Sequence, residues 1–264
     1  LSRGLGDVYK RQDQLSALSR IYDFLFTGGA QSAFILKGYA GTGKTTLMGA
    51  LIRWLHSVNR KTVLMAPTGR SAKVLSSHSG YPASTIHRRI YTVKQDDFGR
   101  MRMNLVHNQS EKTIFIVDEA SMIGDGTFGE NFSDRSLMAD LFEYVYSGNR
   151  CRLILIGDNA QLPPVGMDES PALDPIKVKA VLGGPVFLSE LTSVVRQDED
   201  SLVLSNATRI RNQIRTGQFA DLKIHVDRHS DVRKIPMEEL EDELMSCFDR
   251  HDSNQSVSYT HLRA

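Results

Sequence analysis

The chain has 264 residues, 41% of them hydrophobic and 24% charged, and a formal net charge of +1. These are globular values, with room for one large or two modest domains. Two cysteines, Cys151 and Cys247, are too few for a disulfide scaffold, and the scattered histidines pair with cysteine at no metal-binding spacing. No apolar run approaches the roughly 20 residues of a membrane helix, and with no signal peptide legible the chain reads as cytoplasmic.

In chain order, residues 1–12 (LSRGLGDVYKRQ) are set apart. Together with 256–264 (SVSYTHLRA) they resemble translated sequencing-adapter read-through, and both ends are expected to lie outside the fold. Without them 28 basic and 30 acidic residues remain, so the alkaline pI of 8.0 carries no message about nucleic acid. An apolar-periodic helix is predicted over 14–26. AFILKG (33–38) is a short strand ending in glycine, TTLMGALIRWLHSV (45–58) a helix, and TVLMAP (62–67) a second strand stopped by Pro67. GRSAKVLSSH (69–78) is helical. RRIYTVKQDDFGRMRMNLV (88–106) has strand-like halves around an Asp-Asp-Phe-Gly turn and reads as a β-hairpin inserted between the second and third strands of the sheet. Its DFG string comes with no kinase catalytic-loop pattern. TIFIVDEA (113–120) is the third sheet strand, 134–147 an amphipathic helix, RLILIGD (152–158) the fourth strand and PVFLSEL (185–191) the fifth. Alternating strands and helices predict an α/β domain with a mainly parallel sheet.

Three stretches carry chemistry. GYAGTGKT (38–45) follows a strand and opens a helix, the context a phosphate-binding P-loop requires. Gly38, Gly41 and Gly43 let backbone N–H groups of the loop, Thr42 included, close on phosphate oxygens, and the helix N-terminus adds positive potential. Lys44 is assigned to the β- and γ-phosphates of ATP and Thr45 to Mg²⁺. In IFIVDEAS (114–121), Asp118 is placed to hold the Mg²⁺ shell and Glu119 to take a proton from the attacking water. In LILIGDNAQLPPVG (153–166), an apolar strand runs into Gly157-Asp158, Gln161 and the pair Pro163-Pro164. If this strand lies beside the Asp118 strand, Gln161 faces the γ-phosphate, and the proline-stiffened loop moves as a unit with it.

Charge is uneven. Residues 60–112 hold ten Lys or Arg against three acids. Within that block, Pro67, Thr68 and Lys73 in APTGRSAKVL (66–75), and Thr85 and His87 in ASTIHRRIY (83–91), sit on loops at sheet ends. Such residues suit phosphate-backbone contacts that do not read sequence; for His87 a structural role is the competing reading. Phe98, at the hairpin tip, is the candidate to stack on a base at a fork.

The ordered set GYAGTGKTT, APTGRSAKVL, ASTIHRRIY, IVDEASM, LILIGDNAQLPPVG and LTSVVRQ resembles motifs I, Ia, Ib, II, III and IV of superfamily 1 DNA helicases of the RecD/Dda-like branch. The resemblance spans about residues 13–215. It implies a RecA-like P-loop lobe and ATP-driven 5′→3′ translocation, by a monomeric motor, on single-stranded and fork DNA. It also implies a small inserted domain whose hairpin splits the duplex. Gln14 matches the adenine-reading glutamine, Thr46 joins the ATP-binding loop, and Arg196 matches the arginine that approaches the γ-phosphate from between lobes. The implied organisation is a lobe over 13–195, with the insert at 88–111, and the start of a second lobe over 196–255. The second-lobe motifs V and VI are not found, so the chain looks like a helicase fragment. The alternatives are a regulatory, DNA-binding P-loop ATPase without unwinding activity and a P-loop switch protein, the latter leaving the 66–75 and 83–91 stretches unexplained. RNA stays open as a substrate, because backbone contacts need not distinguish the sugars.

Overall fold

In the computed structural model, residues 2–95, 101–124, 136–193, 201–218, 223–228 and 230–250 are described, without the side chains of 2–11, 101, 215, 248 and 250. They fall into two units, residues 1–196 and 197–264.

The first unit is built on six strands: β1 (Ala33–Gly38), β2 (Thr62–Ala66), β3 (Ala83–Thr85), β6 (Ile114–Val117), β7 (Arg152–Gly157) and β8 (Val186–Leu191). Their order is β3-β2-β6-β7-β1-β8 and every pairing is parallel. Alternate residues of these apolar runs feed opposite faces, as the pleat requires. Ile35, Met65, Phe115, Val117, Leu153 and Leu155 point to one face, where they meet α4 (Ile86–Ile90), α5 (Leu137–Ser147) and α6 (Pro175–Leu182). Phe34, Leu36, Leu64, Ile116, Ile154 and Ile156 point to the other, under α1 (Ser2–Thr27) and α2 (Lys44–Ser57). The helix α3 (Gly69–Ser79) adds Leu75 to that second face.

Two features differ from the sequence expectation. The third sheet strand in chain order is β3, only three residues long, so the inserted hairpin follows it rather than β2. Residues 88–90 belong to α4, whose first turn is capped by the Thr85 hydroxyl. The hairpin itself is β4 (Tyr91–Gln95) paired antiparallel with β5 (Met101–Leu105); Phe98 lies outside the described residues. A hydrogen bond of 2.7 Å from the Tyr91 hydroxyl to Asp140 Oδ2 ties the hairpin base to α5. The helix α1 begins at Ser2, ahead of the predicted start, with no proline to break it.

The second unit contains α7 (Leu202–Thr216) and α8 (Leu240–Arg250), with no strand among its described residues. Ser201 caps α7 and Asp231 accepts from the backbone N–H groups of Leu202 and Val203, which satisfies the free donors of its first turn. No described helix is long and apolar enough to cross a membrane.

Candidate nucleotide site

Three neighbouring strands, β6, β7 and β1, deliver their carboxyl ends to one place. The loop after β1 turns through Gly41 at φ 79° and Gly43 at φ 86°, left-handed values that favour glycine. Gly38 is needed for space: a Cβ there would stand 2.7 Å from Thr42 Oγ1 and 3.1 Å from Leu191 Cβ. Thr42 is buried, and its hydroxyl donates to the Tyr39 carbonyl at 2.8 Å, which closes the loop on itself. Lys44 folds back over this loop. Its ammonium donates to the carbonyls of Gly38 and Tyr39 and lies 3.7 Å from Asp158 Oδ2. Burial holds the lysine pKa below its usual value, and the carboxylates of Asp158, Glu119 and Asp118 oppose that shift.

The carboxylates opposite are strongly constrained. Asp118 is the first residue past β6, and its N–H donates to the Met65 carbonyl at 3.0 Å. The chain then bends sharply, with Glu119 at φ 54°, left-handed backbone that a non-glycine residue adopts at a cost of about 1–3 kcal/mol. The bend keeps both carboxylates at the strand end: the Glu119 N–H donates to Asp118 Oδ1 at 3.0 Å. Burial raises the pKa of Asp118; burial and then the Asp118 charge raise that of Glu119. Gln161 reaches this pair from the loop after β7. Its amide stands near enough to Glu119 to favour the ionised carboxylate, and its Oε1 accepts from the buried Ser121 hydroxyl at 3.3 Å. The loop that carries it is stitched at its base by Asp158, which is buried and accepts from Ala160 N–H at 2.8 Å.

The pairing of β7 with β6, on which the reading of Gln161 depended, is present. Gln14 also comes to the loop, its Nε2 3.5 Å from the Thr42 carbonyl. The hydroxyls of exposed Thr45 and Thr46 stand on the first turn of α2. Thr45 and Asp118 are hard oxygen donors of the kind Mg²⁺ takes, and Gly38 leaves the loop free of side-chain bulk, so the residues present fit a metal-bound polyphosphate. Arg196 lies outside the described residues.

The other residues singled out in the sequence occupy the same edge, two strands away. In the β2–β3 pairing Ala66 sits opposite Thr85, so Pro67, Thr68 and the Thr85–His87 stretch leave the sheet side by side. Thr68 caps α3, its hydroxyl accepting from Ser71 N–H at 3.1 Å, and Lys73 is exposed one turn further on. His87 is half-buried beside the Tyr91 ring, and burial lowers its pKa, which favours the neutral imidazole.

Two residues at the site escaped the sequence reading. Asp158 was visible as part of a Gly-Asp strand end, but its partnership with Lys44 depends on the β1–β7 pairing. Asp13 accepts from the backbone N–H and the hydroxyl of both Thr192 and Ser193, at 2.9–3.3 Å, and so binds α1 to the exit of β8. Burial pushes the Asp13 pKa up, but these hydrogen bonds outweigh it and hold the carboxyl below its usual range. No local pattern announces a contact across 179 residues.

A family model described as AAA domain matches residues 12–235. The ATP-dependent RecD2 DNA helicase of Deinococcus radiodurans is 36% identical over 134 residues, 50% of this chain and 16% of that protein. The ATP-dependent DNA helicase dda of Enterobacteria phage T4 is 32% identical over 181 residues, 67% of this chain and 37% of that protein. Among solved structures, a Pif1 helicase from Bacteroides in complex with ADP-AlF3 and ssDNA superposes with a TM-score of 0.45 at 19% identity, over 91% of this chain and 57% of that one. The chain spans less than two fifths of the length of these two curated relatives.

Proposed function

Since the chain belongs to the AAA domain family, among the RecD/Dda/Pif1-like helicases of superfamily 1, we propose that it is the nucleotide-binding lobe of an ATP-dependent motor that moves 5′→3′ on single-stranded DNA. The observation that carries this is the shared sheet edge. The P-loop, Asp118-Glu119 and Asp158–Gln161 leave β1, β6 and β7, while Thr68 and Thr85 leave the two strands beyond β6. A nucleotide and a strand bound there would lean on one rigid element.

In this reading Lys44 binds the β- and γ-phosphates, and Thr45 and Asp118 hold Mg²⁺. The ion, when bound, offsets phosphate charge. Gln14 reads the adenine, Glu119 accepts the proton of the attacking water, and Arg196 completes the γ-phosphate environment. Pro67, Thr68, Lys73, Thr85 and His87 line the strand's path, His87 by packing and polar contact rather than by charge. Phe98 meets the base at the fork, with a monomer acting on tailed or fork DNA in the cytoplasm.

Gln161 couples the two ligands. It neighbours Glu119 at one end of a loop whose Pro164 and Met167 would stand 3.4 Å from a Cβ added at Gly124, three residues past Ser121. In a protein that also carries the second lobe, Gln161→Ala is expected to leave ATP affinity within about twofold while removing most of the DNA stimulation of hydrolysis. ATPase assays with and without oligodeoxythymidine check this, and an unchanged stimulation ratio counts against the role.

Unwinding requires two lobes that grip the strand alternately, and a second γ-phosphate arginine can be worth orders of magnitude in rate. The family's motifs V and VI are not found in these 264 residues. The chain as given is therefore expected to bind nucleotide, and to bind DNA weakly with an affinity that falls with salt. It should not open a duplex bearing a 5′ single-stranded tail. Robust ATP-dependent strand displacement by this chain contradicts the single-lobe reading, and displacement on 3′-tailed duplex contradicts the direction.

A further inference from the structure

A groove runs between α1 and α2 down to the opposite rim of the sheet, where the strands begin. It has two dissimilar halves. Leu18, Tyr22 and Trp54 wall the first, which is lined only by apolar and aromatic side chains and Ala50. Trp54 is also a wall of the second, where Phe26 and Val58 face Arg60, Lys112, Arg150 and Arg152 and no carboxylate joins the lining.

Both halves carry unused binding capacity. Tyr22, Phe26, Trp54 and Val58 are all exposed, with the Tyr22 and Phe26 rings 4.3 Å apart, so the groove presents a contiguous apolar surface to water. The cations are unequally engaged. Arg152 serves the fold: its Nη1 donates to the Phe24 carbonyl at 2.8 Å and to Ser32 Oγ at 3.2 Å. Lys112 lies 3.5 Å from Glu111 at the surface. Arg60 and Arg150 meet no carboxylate among the described residues. The Arg60 charge is close enough to disfavour the charged form of Arg152, after burial, which is the larger influence. Like charges are thus gathered at one end of an open groove, and among the described residues only Glu111, beside Lys112, offsets any of them.

We propose that this groove docks a peptide segment in which apolar, chiefly aromatic, side chains lead into a run of carboxylates. Segregation of charge selects a peptide over a nucleic acid. A strand carries a phosphate at every nucleotide and would draw several of them through the half whose lining offers no cation. A peptide can seat its apolar side chains against Tyr22 and Trp54 and its carboxylates against Arg60 and Arg150. Buried tryptophan flanked by arginine is the composition of strong contact points in protein interfaces. The cationic half lies at the far rim from the P-loop, so the proposal stands apart from the reading of that site.

Trp54 is the chain's single tryptophan, so its emission reports on the groove directly. The 264-residue chain is titrated with a peptide in which phenylalanine and leucine alternate before a run of aspartates, and with the same residues in reverse order. The expected result is saturable binding of one of the two, with a blue shift of Trp54 emission. Arg60→Glu with Arg150→Glu should weaken it by at least about tenfold, as should asparagine in place of the aspartates. Both arginines are exposed, so this variant is expected to keep its circular dichroism and its affinity for a fluorescent ATP analogue, which separates lost docking from lost folding. The proposal is overturned if neither peptide binds or if the double variant binds as wild type. It is equally overturned if oligodeoxythymidine, and not the peptide, shifts Trp54 emission in a manner abolished by the two reversals.

Discussion

Lys44→Ala is expected to weaken Mg²⁺-ATP binding by about 30-fold to several thousandfold, and to abolish hydrolysis with it. The range is the about 2–5 kcal/mol typical of losing one partner of a buried, hydrogen-bonded charge interaction. The position explains why so much rests on one ammonium. Lys44 holds the Gly38 and Tyr39 carbonyls from inside the loop and faces Asp158, Glu119 and Asp118 at once. Without it, those three carboxylates confront an incoming polyphosphate with no side-chain cation between them. Asp158 is only 2% exposed, so its charge would be left buried and unpaired, and the variant should lose some thermal stability as well. Adding Asp158→Asn should recover stability without recovering affinity, because the asparagine removes the stranded charge and supplies no cation. Lys44→Arg should not rescue binding, since a planar fork cannot occupy the space of a compact ammonium curled over two carbonyls. Equilibrium titration with a fluorescent ATP analogue checks all three, and wild-type affinity in Lys44→Ala would remove the residue from the site.

Glu119→Gln separates binding from chemistry. Nucleotide affinity is expected to hold, while single-turnover hydrolysis falls by about 10²–10⁴-fold, the usual worth of a positioned general base. The left-handed turn at φ 54° presents the side chain beyond Asp118 rather than along the strand. The amide keeps the shape and the contact with Gln161 while losing the ability to take a proton. The pH profile supplies an independent reading. Burial and the Asp118 charge raise the Glu119 pKa above its ordinary 4.5, and the base works only when ionised. The wild-type rate should therefore fall on the acid side at a pH higher than an ordinary glutamate would give. Because Asp118 is also shifted upward, that limb belongs to the two carboxylates together. In Glu119→Gln the residual rate should lose the part that Glu119 contributes. An unchanged acid limb, or wild-type turnover, would reassign the base.

The sheet was legible because its strands are near-continuous apolar runs, buried on both faces and closed by Gly38, Pro67 or Gly157. The P-loop was legible because glycine spacing, lysine and threonine are fixed by the geometry of phosphate binding. β3 was not, since three residues cannot show a period; its pairing with β2 is what carries Thr85 to the side of Ala66. The sequence Arg88-Arg89-Ile90 was read into the hairpin because Ile90 and Tyr91 continue a strand-like pattern. The Thr85 cap instead begins a single helical turn that buries Ile86 and Ile90. The contacts that tune the site were the least visible. Lys44 with Asp158, Ser121 with Gln161, and Asp13 with Thr192 and Ser193 join segments far apart in the chain, and each depends on strand order.

The proposal is that one sheet edge serves a nucleotide and a DNA strand together. Its most direct test is the linkage between them: titration of the chain with a fluorescent ATP analogue and Mg²⁺, with and without saturating oligodeoxythymidine, at low salt. Linkage requires any effect of DNA on nucleotide affinity to be matched, factor for factor, by an effect of nucleotide on DNA affinity. The predicted result is a shift of several-fold, equal in both directions and lost in Gln161→Ala. Superimposable nucleotide isotherms with and without bound DNA would contradict it.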